Sequence, residues 1–352
     1  MATVAIIGAG QLGSRHLQSL KMLEGSADVF VVEPRVEAAE NARQRWSEAA
    51  SADVTPSLRI LSSIADLPDA VDVAIVATTS RVRFQVLREL LQRCSVKFLV
   101  LEKVLFQDPL HYTQFESMAS DRNVKTYVNC PRRLFGFYQE MRELFRHSRP
   151  RRFEVTGGEW GLGCNAIHFL DLFVFLASAN PDPASSANLP VTARINESAL
   201  DPIVCEAKRP GYVEFFGSIS GELNTGNGLP GGHFSGVTNS QIKSKFRITS
   251  ERGSREPHTI RIFDEGHNYL IHESCGEMIT TASEDTVLQT RKIHIPFQSQ
   301  LTQHVVRDLL SRGCCGLTPF QQSQNLHLEL LHTLLHHYRS THDKNASVCP
   351  IT

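Results

Sequence analysis

The 352-residue sequence predicts an α/β chain in two parts, a doubly wound parallel sheet first and an α+β domain on a largely antiparallel sheet second. Three observations carry this. From Thr3 to about Asn129, apolar runs alternate with amphipathic helical patterns. A glycine-rich turn joins the first run to the first helix. After residue 130 the strand patterns follow one another with turn residues between them. The length suffices for two cored domains, placed at residues 1–130 and 131–352.

In the first part the strand and helix patterns are "TVAIIG" and "SRHLQSLKML", "DVFVVE" and "VEAAENARQRW", "DVAIVAT" and "RFQVLRELLQRC", "KFLVLEKVL" and "LHYTQFESMA", then "VKTYVN". The strands lack in/out alternation, as a sheet covered by helices on both faces requires. A helical stretch, "FGFYQEMRELF", precedes a different pattern. "RRFEVTGGEW", "VTARINE", "GYVEFFGSISGEL", "SKFRITSE", "HTIRIFDE", "NYLIHES" and "RKIHIPF" read as strands, with one early helix, "NAIHFLDLFVFLAS". Successive strands without crossover helices imply antiparallel pairing. The tail returns to helix in "QLTQHVVRDLLSR" and "QQSQNLHLELLHTLLHHY". Two loop-rich segments, "NPDPASSANLP" and "NTGNGLPGGHFSGVTNS", read as surface loops, the second with the composition of a lid.

Composition excludes several classes of function. Lys plus Arg (36) nearly balances Asp plus Glu (37), so no global field draws the chain to nucleic acid or anionic lipid. The start lacks a basic region and a cleavage site before its apolar run, and no run is long enough to span a bilayer, so a cytoplasmic protein is expected. Eight scattered cysteines lack C-x-x-C spacing and read as reduced thiols, with the adjacent Cys314 and Cys315 in a turn after Gly313. His332 and His336 are four residues apart on a helix but have no carboxylate or cysteine at a suitable offset, so no metal site is expected.

The turn is "VAIIGAGQLGSRH", with Gly8, Gly10 and Gly13 in G-x-G-x-x-G spacing between a strand and a helix. Gly8 permits the tight turn, Gly10 admits a pyrophosphate to the backbone, and Gly13 lets helix and strand approach. The helix N-terminus, from Gln11 and Leu12 onward, supplies amide donors and a positive dipole. Glu33 ends the second strand about 20 residues beyond the last glycine, where a carboxylate accepts hydrogen bonds from ribose hydroxyls and favours NAD. Arg35, two residues on, is placed to grip a 2′-phosphate, so NADP is the alternative.

With three further segments, this turn resembles the Gfo/Idh/MocA oxidoreductases, the glucose–fructose oxidoreductase and inositol dehydrogenase family, over nearly the whole chain. The resemblance implies a Rossmann domain, a second domain on an open, mainly antiparallel sheet, and oxidation or reduction of sugars or cyclitols at a hydroxyl-bearing carbon. The turn continues to His16 as G-x-G-x-x-G-x-x-H. "DVAIVATTS" ends in Thr78 and Thr79, small polar residues of the kind the family places beside the cofactor. "VLEKVLF" is similar to the E-K-P segment, with Glu102 and Lys103 in place and Val104 where the family has a proline that often forms a cis bond. "GLGCNAIHFLDLF" is similar to the D-x-x-x-H-x-x-D helix, with His168 and Asp171 matching and Cys164 at the first position, where the family has a catalytic or substrate-binding aspartate.

Hydride transfer at a carbinol requires a group that takes or returns the oxygen's proton. Lys103, at the strand edge where open α/β sheets bind ligands, and His168 are the candidates, with Lys103 polarising or deprotonating the oxygen and His168 relaying the proton. Asp171 lies three residues beyond His168 on the same helix face and can orient the imidazole. Asn165, one turn earlier, is placed to hydrogen-bond a substrate hydroxyl. "VNCPRR" resembles the N-x-R-R stretch, whose Arg132 or Arg133 either pairs with an anionic substrate group or is a hinge arginine. Two functions remain open: an NAD(P)-dependent sugar oxidoreductase, and a dinucleotide-binding regulator that has kept the fold without the chemistry. An open sheet with one uncovered face leads us to expect a homo-oligomer.

Overall fold

The computed structural model describes residues 1–50, 52–178, 191–225, 244–282 and 286–352. The segment 180–190 and all of 224–240 except its first two residues lie outside the described residues. The chain forms two units. One comprises Met1–Leu134, Pro296–Gln324 and Thr352, the other Phe135–Ile295 and Asn325–Ile351.

The first 134 residues contain β1 (Ala2–Ile7), α1 (Gln11–Leu20), β2 (Ala27–Val32), α2 (Val36–Glu48), β3 (Ser57–Leu61), β4 (Ala70–Val76), α3 (Ser80–Arg93), β5 (Ser95–Leu101), α4 (Leu110–Asp121) and β6 (Lys125–Val128). Next come α5 (Gly136–Leu144), β7 (Arg152–Thr156), α6 (Leu162–Ala177), β8 (Val191–Leu200), β9 (Cys205–Glu206), β10 (Val213–Glu214), β11 (Gly217–Thr225) and β12 (Ser244–Ser250). The remainder is β13 (Thr259–Phe263), β14 (His267–His272), β15 (Glu277–Ala282), β16 (Val287–Lys292), α7 (Gln298–Arg312), β17 (Thr318–Pro319) and α8 (Phe320–Thr341).

The first unit is the predicted doubly wound sheet, in the order β17-β6-β5-β4-β1-β2-β3. All its pairings are parallel except β17 with β6. Val4, Ala5 and Ile6 of β1 are wholly buried, as are Val73, Ala74, Ile75 and Val76 of β4, so neither strand has a wet face toward which to alternate. Chain order reverses between β1 and β4, which places the ligand-binding crevice at the C-terminal ends of these strands. The C-terminal part of the chain lends α7 to this unit. Val305, Val306 and Leu309 join Leu17 and Leu20 of α1 in one core, and the Gln303 amide donates to Ser19 Oγ at 2.9 Å.

The second unit holds an open eight-stranded sheet, β16-β15-β14-β13-β7-β12-β11-β8. It is antiparallel throughout except between β12 and β7. Helix α6 is apolar on nearly every side and accordingly buried, and it packs on β8, β11 and β12. Phe173 of α6 stacks on Phe153 of β7 with ring centroids 4.6 Å apart.

Four elements are among those that differ from the sequence expectation. β3, an edge strand with no buried residue, and β17, two residues long, carry too little apolar pattern to be read. "GYVEFFGSISGEL" is two strands, because Gly217 takes φ +104° between β10 and β11. "RKIHIPF" stops being strand after Lys292, with Pro296 four residues on and no amide to offer a ladder.

No helix among the described residues is long and apolar enough to cross a membrane. Phe173→Ala removes a wholly buried ring from the α6–sheet layer, and urea unfolding should register a loss of about 3–5 kcal/mol in the second unit.

Candidate functional site

The first β–α turn is built by what its glycines lack. Gly8 adopts φ +92° and donates its amide to the Val32 carbonyl at 2.9 Å. A Cβ on Gly13 would lie 1.9 Å from the Gly8 carbonyl oxygen, so only glycine lets α1 start this close to the end of β1. A Cβ on Gly10 would meet nothing nearer than the Arg35 guanidinium at 3.9 Å, which leaves that side of the turn open. No side chain caps α1, and its first-turn amides, at Gln11, Leu12 and Gly13, have no acceptor within the helix. Arg45 of α2 donates to the Gln11 carbonyl at 3.1 Å and also contacts Ser14 Oγ, adding a cation beside the turn that sequence reading did not single out. Open backbone, uncapped amides and a cation are what a pyrophosphate needs, and these residues fit a dinucleotide.

Glu33 is buried at the end of β2. Its Oε2 accepts the Ala9 amide at 2.8 Å and Arg35 Nη2 at 3.3 Å, while Oε1 accepts the Arg35 amide at 3.1 Å and Arg35 Nε at 3.0 Å. Burial alone pushes this carboxyl up, but the hydrogen bonds from Arg35 and Ala9 more than offset it, so the group is held below the usual carboxylate range. The Arg35 guanidinium is exposed. Residues 33 and 35, read from the sequence as alternatives, are therefore one ion pair.

On the other side of β1, Thr78 follows β4 and Lys103 follows β5. Thr78 Oγ1 is buried and has no hydrogen-bond partner among the described residues, which suits it to a ligand. Thr79 caps α3 through its backbone, in extended conformation. The Lys103–Val104 peptide bond is cis. Glu102, next to Lys103, anchors a buried network that sequence spacing did not show. It accepts from His16 Nε2 at 2.9 Å and from Asn129 Nδ2 at 2.5 Å. His16 Nδ1 lies 2.8 Å from Thr302 Oγ1, and Asn129 also donates to Gln298 Oε1 at 2.9 Å. Burial raises the Glu102 carboxyl, yet contact with His16, Asn129 and the charge of Lys103 hold it below its ordinary value. Glu102 thereby ties α1, β5, β6 and α7 together. Arg132 follows β6 in a short 3₁₀ turn of this same unit.

In the second unit, Cys164, Asn165, His168 and Asp171 share one face of α6 by their spacing of three and four residues. Asp171 is buried, whereas Cys164, Asn165 and His168 are half-buried. The Asn165 amide nitrogen donates to the Trp160 carbonyl and, at 3.3 Å, to that of Gly161, so its donor serves the start of the helix. The residue missed in the sequence is Glu214 of β10. Its carboxylate accepts the Gly163 amide at 2.5 Å, the Cys164 amide at 3.2 Å and the Phe215 amide at 3.0 Å. A Cβ on Gly161 would lie 2.2 Å from the Glu214 carboxyl carbon, and one on Gly163 would lie 2.7 Å from its oxygen. Two glycines thus make room for a carboxylate at the α6 N-terminus, where the helix dipole favours it. Among the described residues no group of three or more acidic, histidine or cysteine side chains is arranged to hold a metal.

Residues 2–130 match the Gfo/Idh/MocA family, described as an oxidoreductase family with an NAD-binding Rossmann fold. The match covers the first domain and stops there. No curated protein matches the chain. Solved structures match nearly its whole length. UDP-N-acetylglucosamine 3-dehydrogenase GnnA from Acidithiobacillus ferrooxidans is 13% identical with TM-score 0.61, over 94% of this chain and 96% of that one. A super-repressor mutant of Gal80p from Saccharomyces cerevisiae is 12% identical with TM-score 0.66, over 96% and 95%. Levoglucosan dehydrogenase in complex with NADH is 13% identical with TM-score 0.63, over 97% of each chain. At these identities the likeness is one of fold. The Rossmann domain and the open, mainly antiparallel second sheet expected from the sequence are both present, and the cofactor class is NAD(P).

The lowered Glu33 carboxyl has a signed consequence. Its contribution to stability is complete above the ordinary carboxylate pKa, about 4.3, and is lost as pH falls through the lower folded value. Between roughly pH 6 and pH 3 the melting temperature of Glu33→Gln should therefore fall less than that of the parent. Parallel acid limbs in a calorimetric series would contradict the assignment.

Proposed function

We propose that the chain is an NAD(P)-dependent oxidoreductase that moves a hydride between the nicotinamide and a hydroxyl-bearing carbon of a sugar or sugar derivative. The observation that carries this reading is the placement of Lys103. The Glu102 network fixes the segment preceding it at the C-terminal edge of the same sheet whose glycine turn fits a pyrophosphate. With Glu33 beyond β2 on one side of β1, a dinucleotide held at the turn extends its other half over β4 and β5, where Thr78 and Lys103 stand.

When bound, the nicotinamide supplies or accepts the hydride. In this reading Lys103 Nζ hydrogen-bonds the substrate oxygen and takes its proton as a carbinol is oxidised, or returns it in the opposite direction. We also propose His168 as a proton-handling residue of α6, with Asp171 orienting its imidazole. We further assign Arg132 to a substrate that carries an anion, and Asn165 and Cys164 to substrate recognition on α6. We further propose that the protein works as a homo-oligomer through its open second sheet.

A second reading, a dinucleotide-binding regulator without turnover, draws support from Cys164 at the position where the resembling enzymes have an aspartate. One experiment separates the two. NADH fluorescence titration should show binding under both readings, and only the oxidoreductase should turn over nicotinamide against a panel of sugars, sugar acids and nucleotide sugars. Lys103→Ala should then lower turnover by about 100-fold or more while leaving the NADH dissociation constant within about threefold. Unchanged turnover in that variant would remove Lys103 from the chemistry.

A further inference from the structure

We infer that Arg83 is a positioning residue, a buried clamp that locks together the two β–α loops carrying Thr78 and Lys103. The inference rests on the functional reading above, which puts the nicotinamide half of the cofactor over those loops.

Arg83 is the fourth residue of α3 and only 1% exposed. Its guanidinium donates to the carbonyls of Thr78 and Val104 and, at 2.9 Å, to that of Leu105. Thr78 belongs to the loop after β4, and Val104 and Leu105 to the loop after β5. One rigid planar group therefore ties two backbone segments that are distant in sequence, and it does so on the residues adjoining Lys103.

The position is an expensive one for a cation. Burial removes the charge from water, and the first turn of a helix repels positive charge, with no acidic side chain in that turn of α3. Packing alone would be served by an apolar side chain. What the guanidinium adds is directional: fixed N–H vectors set where the Thr78 and Val104 carbonyls point, and through them the backbone that carries Lys103. Val104 has no ring to restrict its own φ, so this restraint must come from outside the segment. The loop after β5 is held at its far end as well, because Tyr112 Oη accepts the Phe106 amide at 3.3 Å and donates to the Phe106 carbonyl at 3.1 Å. Arg83 supplies the corresponding hold next to the lysine.

A role confined to the nicotinamide half can be separated from a merely structural one by comparing two ligands. NADH carries the nicotinamide, and ADP-ribose has the same adenosine and pyrophosphate without it. In calorimetric titrations, Arg83→Met should weaken NADH about tenfold and leave ADP-ribose within about twofold, with Arg83→Lys between parent and Arg83→Met. Hydrogen exchange should rise in peptides covering residues 76–83 and 101–107 and stay unchanged over β2 and α2. Equal weakening of both ligands, no weakening of either, or a uniform rise in exchange would overturn the clamp. If Arg83→Met does not fold, Arg83→Lys is read by the same criteria. A parent protein that binds neither these ligands nor NADPH defeats the functional reading itself, whereas a parent that binds NADH and variants that bind it equally well defeat only the role of Arg83.

Discussion

The approach of Gly13 to the Gly8 carbonyl, closer than any Cβ permits, is the constraint on which the first unit's ligand edge depends. It sets the start of α1 directly over the end of β1. From there α1 reaches in two directions. The Ala9 amide, in the turn itself, ends on Glu33 of β2, and His16, two turns along, ends on Glu102 beyond β5. A helix displaced by even a methyl radius would break both contacts. The same close approach therefore fixes the adenosine side of the edge through Glu33 and the Lys103 side through Glu102. Helix α7 secures the arrangement from behind, with Thr302 and Gln298 beside His16 and apolar residues against Leu17 and Leu20.

Three carboxylates illustrate how this chain keeps charge at its candidate sites. Glu33, Glu102 and Glu214 are each surrounded by donors: two backbone amides and a guanidinium, an imidazole and a carboxamide, and three backbone amides respectively. For Glu33 and Glu102 those donors outweigh burial, and the carboxyls are held below their ordinary values. A charged group in a low-dielectric setting is also a stiff one, because any movement leaves it unpaired. Each carboxylate thus fixes geometry: Glu33 orients Arg35 toward the turn, Glu102 seats the residue before Lys103, and Glu214 anchors the first turn of α6.

The parts legible in the sequence were those whose cause is local. The G-x-G-x-x-G turn announces itself because each glycine answers a backbone requirement within six residues, and the parallel strands do so because a doubly covered strand is apolar throughout. The i, i+3 and i, i+4 relations of Cys164, Asn165, His168 and Asp171 follow from helix periodicity alone. What remained hidden joins distant residues. His16 meets Thr302 across 286 positions, and Glu214 meets Gly163 across 51. Arg83 sits in an ordinary amphipathic pattern, where an arginine signals a solvated face, and only the fold turns it inward onto carbonyls. Edge strands such as β3 escape notice for the opposite reason, since half-exposed residues leave little pattern to read.

Glu214 also bears on the chemistry available around Cys164. Its carboxylate accepts the Cys164 amide, at the position where the resembling enzymes have an aspartate. Its oxygens accept the Gly163 and Cys164 amides that start α6, together with the Phe215 amide. A carboxylate in that position is engaged in fixing the helix N-terminus, where the dipole favours it. The carboxylate's part is then to fix the first turn of the helix that carries His168.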